Sequence, residues 1–246
     1  CIRDSPNPYL TVEMHAEFRS PHHRTFLMPA YWDGARRMVI RFTPIDPGDW
    51  DYRITGNISR FNGQTGRFTA APSDAPGFIR PANLHHWATT ETNQPHLWMG
   101  DTCYRFAFVP RPAFDAILDA RGRQKFTHIR GLVLGWDSDL PNAFPSPDRP
   151  NPDHFRELDA RILAIHRRGI TTDLILGGDS NQLARVFPTA AQRERYLRYI
   201  VARYSPFNIT WQLVQEFEEY QNARSLLAEL GPELKKLDPF DHPRTT

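Results

Sequence analysis

Four apolar runs in the second half of this sequence each give way to a polar cluster that carries a carboxylate. Residues 98–104 bring Asp101, and residues 135–139 bring Trp136, Asp137 and Asp139. Residues 177–181 bring Asp179, and residues 215–220 bring Gln215, Glu216 and Tyr220. If the runs are parallel strands, the clusters lie at strand carboxyl ends, where α/β folds bind their ligands. Carboxylates interleaved with Trp and Tyr match one chemistry well. Splitting a glycosidic bond requires a protonated carboxylic acid beside the leaving oxygen and a second carboxylate at the anomeric carbon. Aromatic rings, apolar on their faces, can cover the apolar side of a sugar ring. By position, Glu216 is the candidate catalytic acid/base. Asp101, Trp136, Asp137, Asp179 and Tyr220 are the candidate substrate-binding residues. The same carboxylates also have structural uses. Asp101-Thr102 can cap a turn, Asp179 can sit solvated in a loop, and Glu218 and Glu219 suit the start of a helix.

Other chemistries find less support. The pairs His22-His23 and His85-His86 lack an accompanying Cys, His or Asp set at ligand spacing. Asp137, Asp139 and Asn142 do not follow the EF-hand spacing. Gly177-Gly178 is no phosphate loop, and no GxSxG elbow occurs. No metal and no cofactor are therefore expected. The 30 basic and 28 acidic residues leave a net charge of +2 with no basic stripe, which argues against nucleic acid as a partner. No apolar run approaches the ~20 residues of a membrane-spanning helix. Two cysteines, Cys1 and Cys103, exclude a disulfide-dense scaffold. Aromatics at 12% and 22 prolines favour stiff loops and flat apolar surfaces of the kind that bind sugars.

The elements that must position these residues fall into two textures. Residues 1–80 read as an antiparallel β-sandwich: residues 10–18 alternate, 38–42 and 50–54 are short apolar runs, and glycine turns lie between them. Residues 81–95 read as a linker. From 96 to 246 strands starting near 97, 127, 172 and 209 alternate with helices over 153–168, from Thr189, and over 221–237. Thr189 and Gln192 stand at capping-box spacing. A closed (β/α)8 barrel takes about 250 residues, and only about 150 remain from residue 96. The second half is thus either an open α/β sheet or roughly the first four βα units of a TIM barrel.

Several motifs in order carry a family resemblance. Asn7-Pro8-Tyr9, Tyr31-Trp32-Asp33-Gly34, Arg41-Phe42-Thr43-Pro44, Pro47-Gly48-Asp49-Trp50 and Gly77-Phe78-Ile79-Arg80 together resemble the DUF5060 β-sandwich module. Trp98-Met99-Gly100-Asp101-Thr102, Phe126-Thr127-His128-Ile129, Asn151-Pro152-Asp153-His154 and Thr210-Trp211-Gln212-Leu213-Val214-Gln215-Glu216 resemble apiosidase-like (DUF4038) glycoside hydrolase barrels. The resemblance implies a carbohydrate substrate, with the acid/base closing the fourth strand at Glu216 and the nucleophile near a seventh strand. Gln215 stands where related barrels often place an Asn that contacts the sugar, so it joins the substrate-binding candidates.

The resulting expectation is a retaining glycosidase acting on a plant or algal polysaccharide or oligosaccharide, secreted or periplasmic. The chain reads as a piece truncated at both ends and inactive alone, with its nucleophile beyond Thr246; Cys1 is either a mature terminus or a fragment boundary. A non-catalytic carbohydrate-binding or scaffold protein and a polysaccharide lyase are the alternatives.

Overall fold

A computed structural model describes residues 5–246, so the reading of Cys1 lies outside the described residues. Pro8 sets the first turn of a short helix, α1 (Pro8–Thr11), so the alternating run begins as a strand only at Met14. Four strands then form one antiparallel sheet: β1 (Met14–Arg19), β2 (Thr25–Pro29), β5 (Gly48–Gly56) and β6 (Thr65–Ala70), in the order β2-β1-β5-β6. Alternation buries Ala16, Phe18, Phe26, Met28 and Trp50 on one face. The expected second layer of a sandwich is not a sheet of comparable size. Only β3 (Tyr31–Trp32) and β4 (Met38–Val39) pair there. Beyond them the chain runs extended through Pro44 and Pro47, which have no N–H to offer a ladder. That segment still covers the sheet: Phe42 stacks on Phe18 with centroids 4.0 Å apart, and Phe240 closes the cluster from the far end of the chain.

The expected linker is structured. β7 (Ile79–Pro81), β8 (Trp87–Thr89) and β9 (Pro95–His96) form a three-stranded antiparallel meander.

The second half alternates strand and helix as its periodicity predicts. The strands are β10 (Gly100–Thr102), β11 (His128–Leu132), β12 (Thr171–Gly177), β13 (Ile209–Val214) and β14 (Arg244–Thr245). The helices are α2 (Arg111–Arg123), α3 (Leu140–Ala143), α4 (Pro152–His166), α5 (Leu183–Val186), α6 (Ala190–Tyr204) and α7 (Ala223–Leu237). Thr189 and Gln192 form the capping box at the start of α6. All five strands are parallel and follow chain order, without the reversal that defines a doubly wound sheet. Right-handed crossovers that always step the same way put every helix on one face. That face carries Leu174 and Trp211 beside Gly131, where a Cβ would meet the Phe106 ring at 2.1 Å. The opposite face carries the register partners Arg130, Asp173 and Thr210; Asp173 accepts from Arg130 at 2.8 Å and from the Thr210 hydroxyl at 2.9 Å. Among the described residues no helix is long and apolar enough to cross a membrane.

Buried polar groups join the halves. Arg203 of α6, fully buried, donates to Asp159 of α4 at 2.7 Å and to Asp33 of the β3–β4 turn at 3.2 Å, and lies 4.3 Å from the Tyr31 ring centre. Arg41 adds a 2.8 Å bond to Asp159. Near the chain end, burial alone would raise the Asp238 carboxyl. Contacts from His242 and Trp211 outweigh burial and hold it below the usual range. Where the meander meets β11, His96 and His128 share a 2.9 Å Nε2–Nε2 contact while Trp98 stacks on His128 at 4.0 Å. Burial pushes both imidazoles down, His128 to about 3.

Two outcomes follow. Arg203→Ala leaves Asp33 and Asp159 without their shared cation and should cost about 3–5 kcal/mol in urea unfolding. Arg168→Ala, which removes a half-exposed pair with Asp119, should cost about 1 kcal/mol or less. The second concerns pH. His128 is neutral when folded, so below pH ~6.5 only the unfolded chain takes up its proton. Stability should therefore decline from pH ~6.5 toward 4, by up to about 1.4 kcal/mol per pH unit for this residue, and His128→Gln should flatten that decline.

Candidate active site

The carboxyl ends of β12 and β13 set two loops side by side. β12 ends at Gly177, where a Cβ would lie 2.5 Å from the Leu183 side chain of α5. The chain then passes through Gly178, Asp179, Ser180 and Asn181. Asn181 is fully buried and donates to the Gly135 carbonyl at 2.8 Å, which ties this loop to the one after β11. On the neighbouring strand the Gln215 N–H donates to the Gly177 carbonyl at 2.9 Å and extends the ladder by one residue. Glu216 then takes a left-handed backbone, φ 51° and ψ 51°. Few non-glycine residues adopt it, and such strain gathers at functional sites.

That backbone turns the Glu216 carboxylate out of the sheet, exposed, with the Gln215 side chain donating to it at 3.0 Å. A 3-10 turn over Phe217–Glu219 follows, closed by the Glu219 N–H on the Glu216 carbonyl at 3.0 Å. Three residues per turn bring Glu219 back over Glu216. One carboxylate oxygen from each of Asp179, Glu216 and Glu219 lies within 4.8 Å of the others. Tyr220 sits behind this trio, buried, donating its hydroxyl to the Gly178 carbonyl. Burial first, and the charges of Asp179 and Glu216 next, push the phenol well above its usual range. It stays a neutral donor that braces one loop against the other.

The loop after β11 completes the surroundings. Gly135 has φ +66°, and a Cβ there would lie 2.4 Å from the Phe108 ring. Asp139 is buried, receives two bonds from Arg105 at 2.8 and 2.6 Å, and caps the Trp136 N–H at 3.0 Å. Burial would raise this carboxyl, but Arg105 and the Trp136 N–H outweigh it and leave it lowered. Arg105 in turn lies 5.0 Å from the centre of the Trp136 ring, which remains 48% exposed. An exposed flat ring over an arginine anchored by a buried carboxylate is a preset stacking surface.

The sequence-derived residues thus divide. Glu216, Asp179 and Gln215 come together. Tyr220, buried, supports them through its bond to the Gly178 carbonyl. Asp137 pairs with Arg185 of α5 at 2.5 Å, and Trp136 stands on the same loop. Asp101 is a correction. It pairs in register with Ile129, which puts it on the helix-facing side of β10, and Arg121 of α2 takes its carboxylate at 2.5 Å. Period-two alternation, invisible until the strand limits are known, turns it away from the site. Glu219 was missed because it read as helix-start charge; its i,i+3 spacing from Glu216 across a tight turn was the available signal. Exposed acidic clusters of this kind are common without an ion, and the trio by itself assigns no metal.

Comparison with known proteins follows this geometry. Residues 3–57 match the model of a domain of unknown function, DUF5060. Residues 83–246, the larger part of the chain, match the model described as apiosidase-like, catalytic domain. The chain belongs to the apiosidase-like family. A candidate glycoside hydrolase from Bacteroides vulgatus ATCC 8482 superposes on 100% of this chain at TM-score 0.86 and 22% identity, using 53% of its own length. The chain therefore spans about half of that structure. A glycoside hydrolase family 5 protein from the same organism matches 70% of the chain and 38% of its own, at TM-score 0.53 and 15% identity. A family 5 mannosidase from Rhizomucor miehei matches 69% and 55%, at TM-score 0.53 and 14% identity. At such identities the likeness is one of fold. No curated protein matched. The apiosidase-like domain has a glycoside hydrolase-like fold, preceded by a DUF5060 module.

A substitution can test the strained position. Glycine accepts a φ of +51° without a Cβ clash, so Glu216→Gly should unfold at higher urea than Glu216→Ala, by about 1 kcal/mol. Equal midpoints would mean that the backbone there is not left-handed.

Proposed function

We propose that this chain supplies the acid/base half of a retaining glycoside hydrolase, built on the first strands of a (β/α)8 barrel. One observation carries the proposal: Glu216, at the carboxyl end of β13, is held in a left-handed backbone beside Asp179 and Glu219 on the exposed rim of a singly wound parallel sheet. Chain-order strands with helices on one face are the layout from which a barrel closes, and barrel enzymes react at the carboxyl rim. The fold likeness to glycoside hydrolases points the same way.

In this reading Glu216 donates its proton to the glycosidic oxygen as the bond breaks. It then accepts a proton from the water that releases the glycosyl-enzyme. Gln215, already donating to Glu216, orients the carboxyl and presents its amide to the sugar. Trp136 gives the ring a stacking face. The nucleophile must approach the anomeric carbon about 5–5.5 Å from Glu216 and from the other side. Asp179 ends the adjacent strand and reaches a bound sugar from the same side as Glu216. We therefore assign the nucleophile to strands that close the barrel opposite β13, outside this chain. The substrate proposed is a plant or algal glycan, met in a secreted or periplasmic setting.

The test uses the full-length protein. Glu216→Gln should lower kcat/KM for alkyl glycosides, whose leaving oxygen needs a proton, by about 10²–10⁴. Dinitrophenyl glycosides, which leave without help, should form the glycosyl-enzyme at near the normal rate. Equal losses on both substrates, or none on either, would remove Glu216 as the acid.

A further inference from the structure

One arginine on the carboxyl rim takes no part in bond cleavage and still lies against the exposed aromatic surface there. Arg105 stands in the segment that leads from β10 to α2, and its guanidinium makes two kinds of contact at once. It forks onto both oxygens of Asp139, at 2.8 and 2.6 Å, and it lies 5.0 Å from the centre of the Trp136 ring. A planar guanidinium permits both, since the fork bonds along its edge while its charge attracts the π-face of a ring within ~6 Å. Asp139 is a firm anchor. Its side chain is 5% exposed, and a Cβ at Gly135 would lie 2.6 Å from it.

The backbone at Trp136 is held by other bonds. Asn181 donates to the Gly135 carbonyl at 2.8 Å, and Oδ2 of Asp139 accepts from the Trp136 N–H at 3.0 Å. The Trp136 carbonyl accepts from the N–H groups of Asp139 at 2.9 Å and Leu140 at 3.1 Å. These bonds fix the main chain and leave the side-chain torsions of the indole open. Among the described residues no hydrogen bond engages the indole N–H and no second aromatic ring packs on it, so its directional contact is Arg105. A side chain free to change rotamer loses that freedom when a ligand settles on it, and the loss weakens binding; a ring held in advance avoids it.

We propose that Arg105, anchored by Asp139, is a positioning residue that holds the Trp136 indole in the pose in which it receives a sugar ring. That the occupant is a sugar rests on the hydrolytic reading; that the ring is held rests on the geometry of Arg105 itself. The same arginine also ties the loop after β10 to the one after β11, a role that would serve the fold alone. The two roles differ in one respect: a positioning residue acts on the sugar only through Trp136.

The test has two arms, both with Arg105→Lys, which leaves Asp139 a counter-charge but removes the flat fork. The first reads the six indole N–H groups of the whole chain by 15N relaxation, with Trp136 assigned by its loss in Trp136→Phe. The Trp136 indole should have an order parameter of about 0.85, and Arg105→Lys should lower it below about 0.6. An indole as rigid in the variant as in the parent would overturn the proposal. The second arm measures KM and kcat of the full-length protein on a dinitrophenyl glycoside. Trp136→Ala should raise KM about tenfold with kcat unchanged, as loss of a contact made equally before and during reaction does. Arg105→Lys should raise KM about threefold, the size of one exposed cation–π contact. In the Trp136→Ala background the same change should move KM by less than about 1.5-fold. Equal rises in both backgrounds, or a fall in kcat in place of a rise in KM, would overturn the positioning role. Absence of turnover on any glycoside would remove the hydrolytic reading, and the indole relaxation would still decide whether Arg105 holds the ring.

Discussion

The guanidinium of Arg203 has no exposed surface, and the relation between the two halves of the molecule depends on it. A cation cannot remain in an interior without counter-charges, because desolvation costs several kcal/mol. Its partners come from three places: Asp159 on α4, Asp33 on the β3–β4 turn, and the ring of Tyr31. The turn can reach α4 only because Gly34 has φ +90°, and even the Cβ of another residue would press on Pro152 at 3.2 Å. α4 and α6 are also the helices that feed β12 and β13. The charge that seats the N-terminal sheet thus fixes the two βα units that bear Asp179 and Glu216.

From those units the site follows by short, local steps. Leu183 leaves room only for glycine at 177, the Gln215 N–H lengthens β13 by one bond, and the chain turns left-handed at the next residue. The Tyr220 hydroxyl then pins the returning chain to Gly178. Each brace lies behind the carboxylates, buried, while the carboxylates themselves remain exposed. Among the described residues Glu216 has no ion pair that would account for its backbone, and glycine would serve the fold there.

Much of this was legible in the sequence because each parallel strand carries a short apolar run and the helices carry clear stripes. The helix over 153–168 and the capped one from Thr189 appear within a residue or two of their expected limits. The strand-end position of Glu216 was readable for the same reason. What failed depended on facts that a linear pattern lacks. Asp101 reads like its counterparts on the other strands, but on a three-residue strand a single step in register decides which face it occupies. The sandwich reading assumed that apolar runs pair, whereas the run near Phe42 covers its sheet through side chains alone. Residues 81–95 read as a linker, although Trp87 and His96 sit in a paired meander.

The inner face of the parallel sheet bears on the barrel proposed above. On the helix side, Leu174 and Trp211 are closed off by packing. On the other side, Arg130 spans to Asp173 and Thr210 answers it, so that one layer of the sheet is tied laterally by charge and hydroxyl. Asp173 is buried there, whereas Arg130 keeps about a third of its side chain exposed, 38%. An open doubly wound sheet covers its second face with helices and fills it with aliphatic side chains. A face that carries a buried aspartate, an arginine and a threonine in register suits polar neighbours, which the interior of the proposed barrel would offer from strands across the axis. The ionic layer below and the acidic rim above are then parts of one surface. The lower one holds the strands in register, and that register is what brings Asp179 beside Glu216.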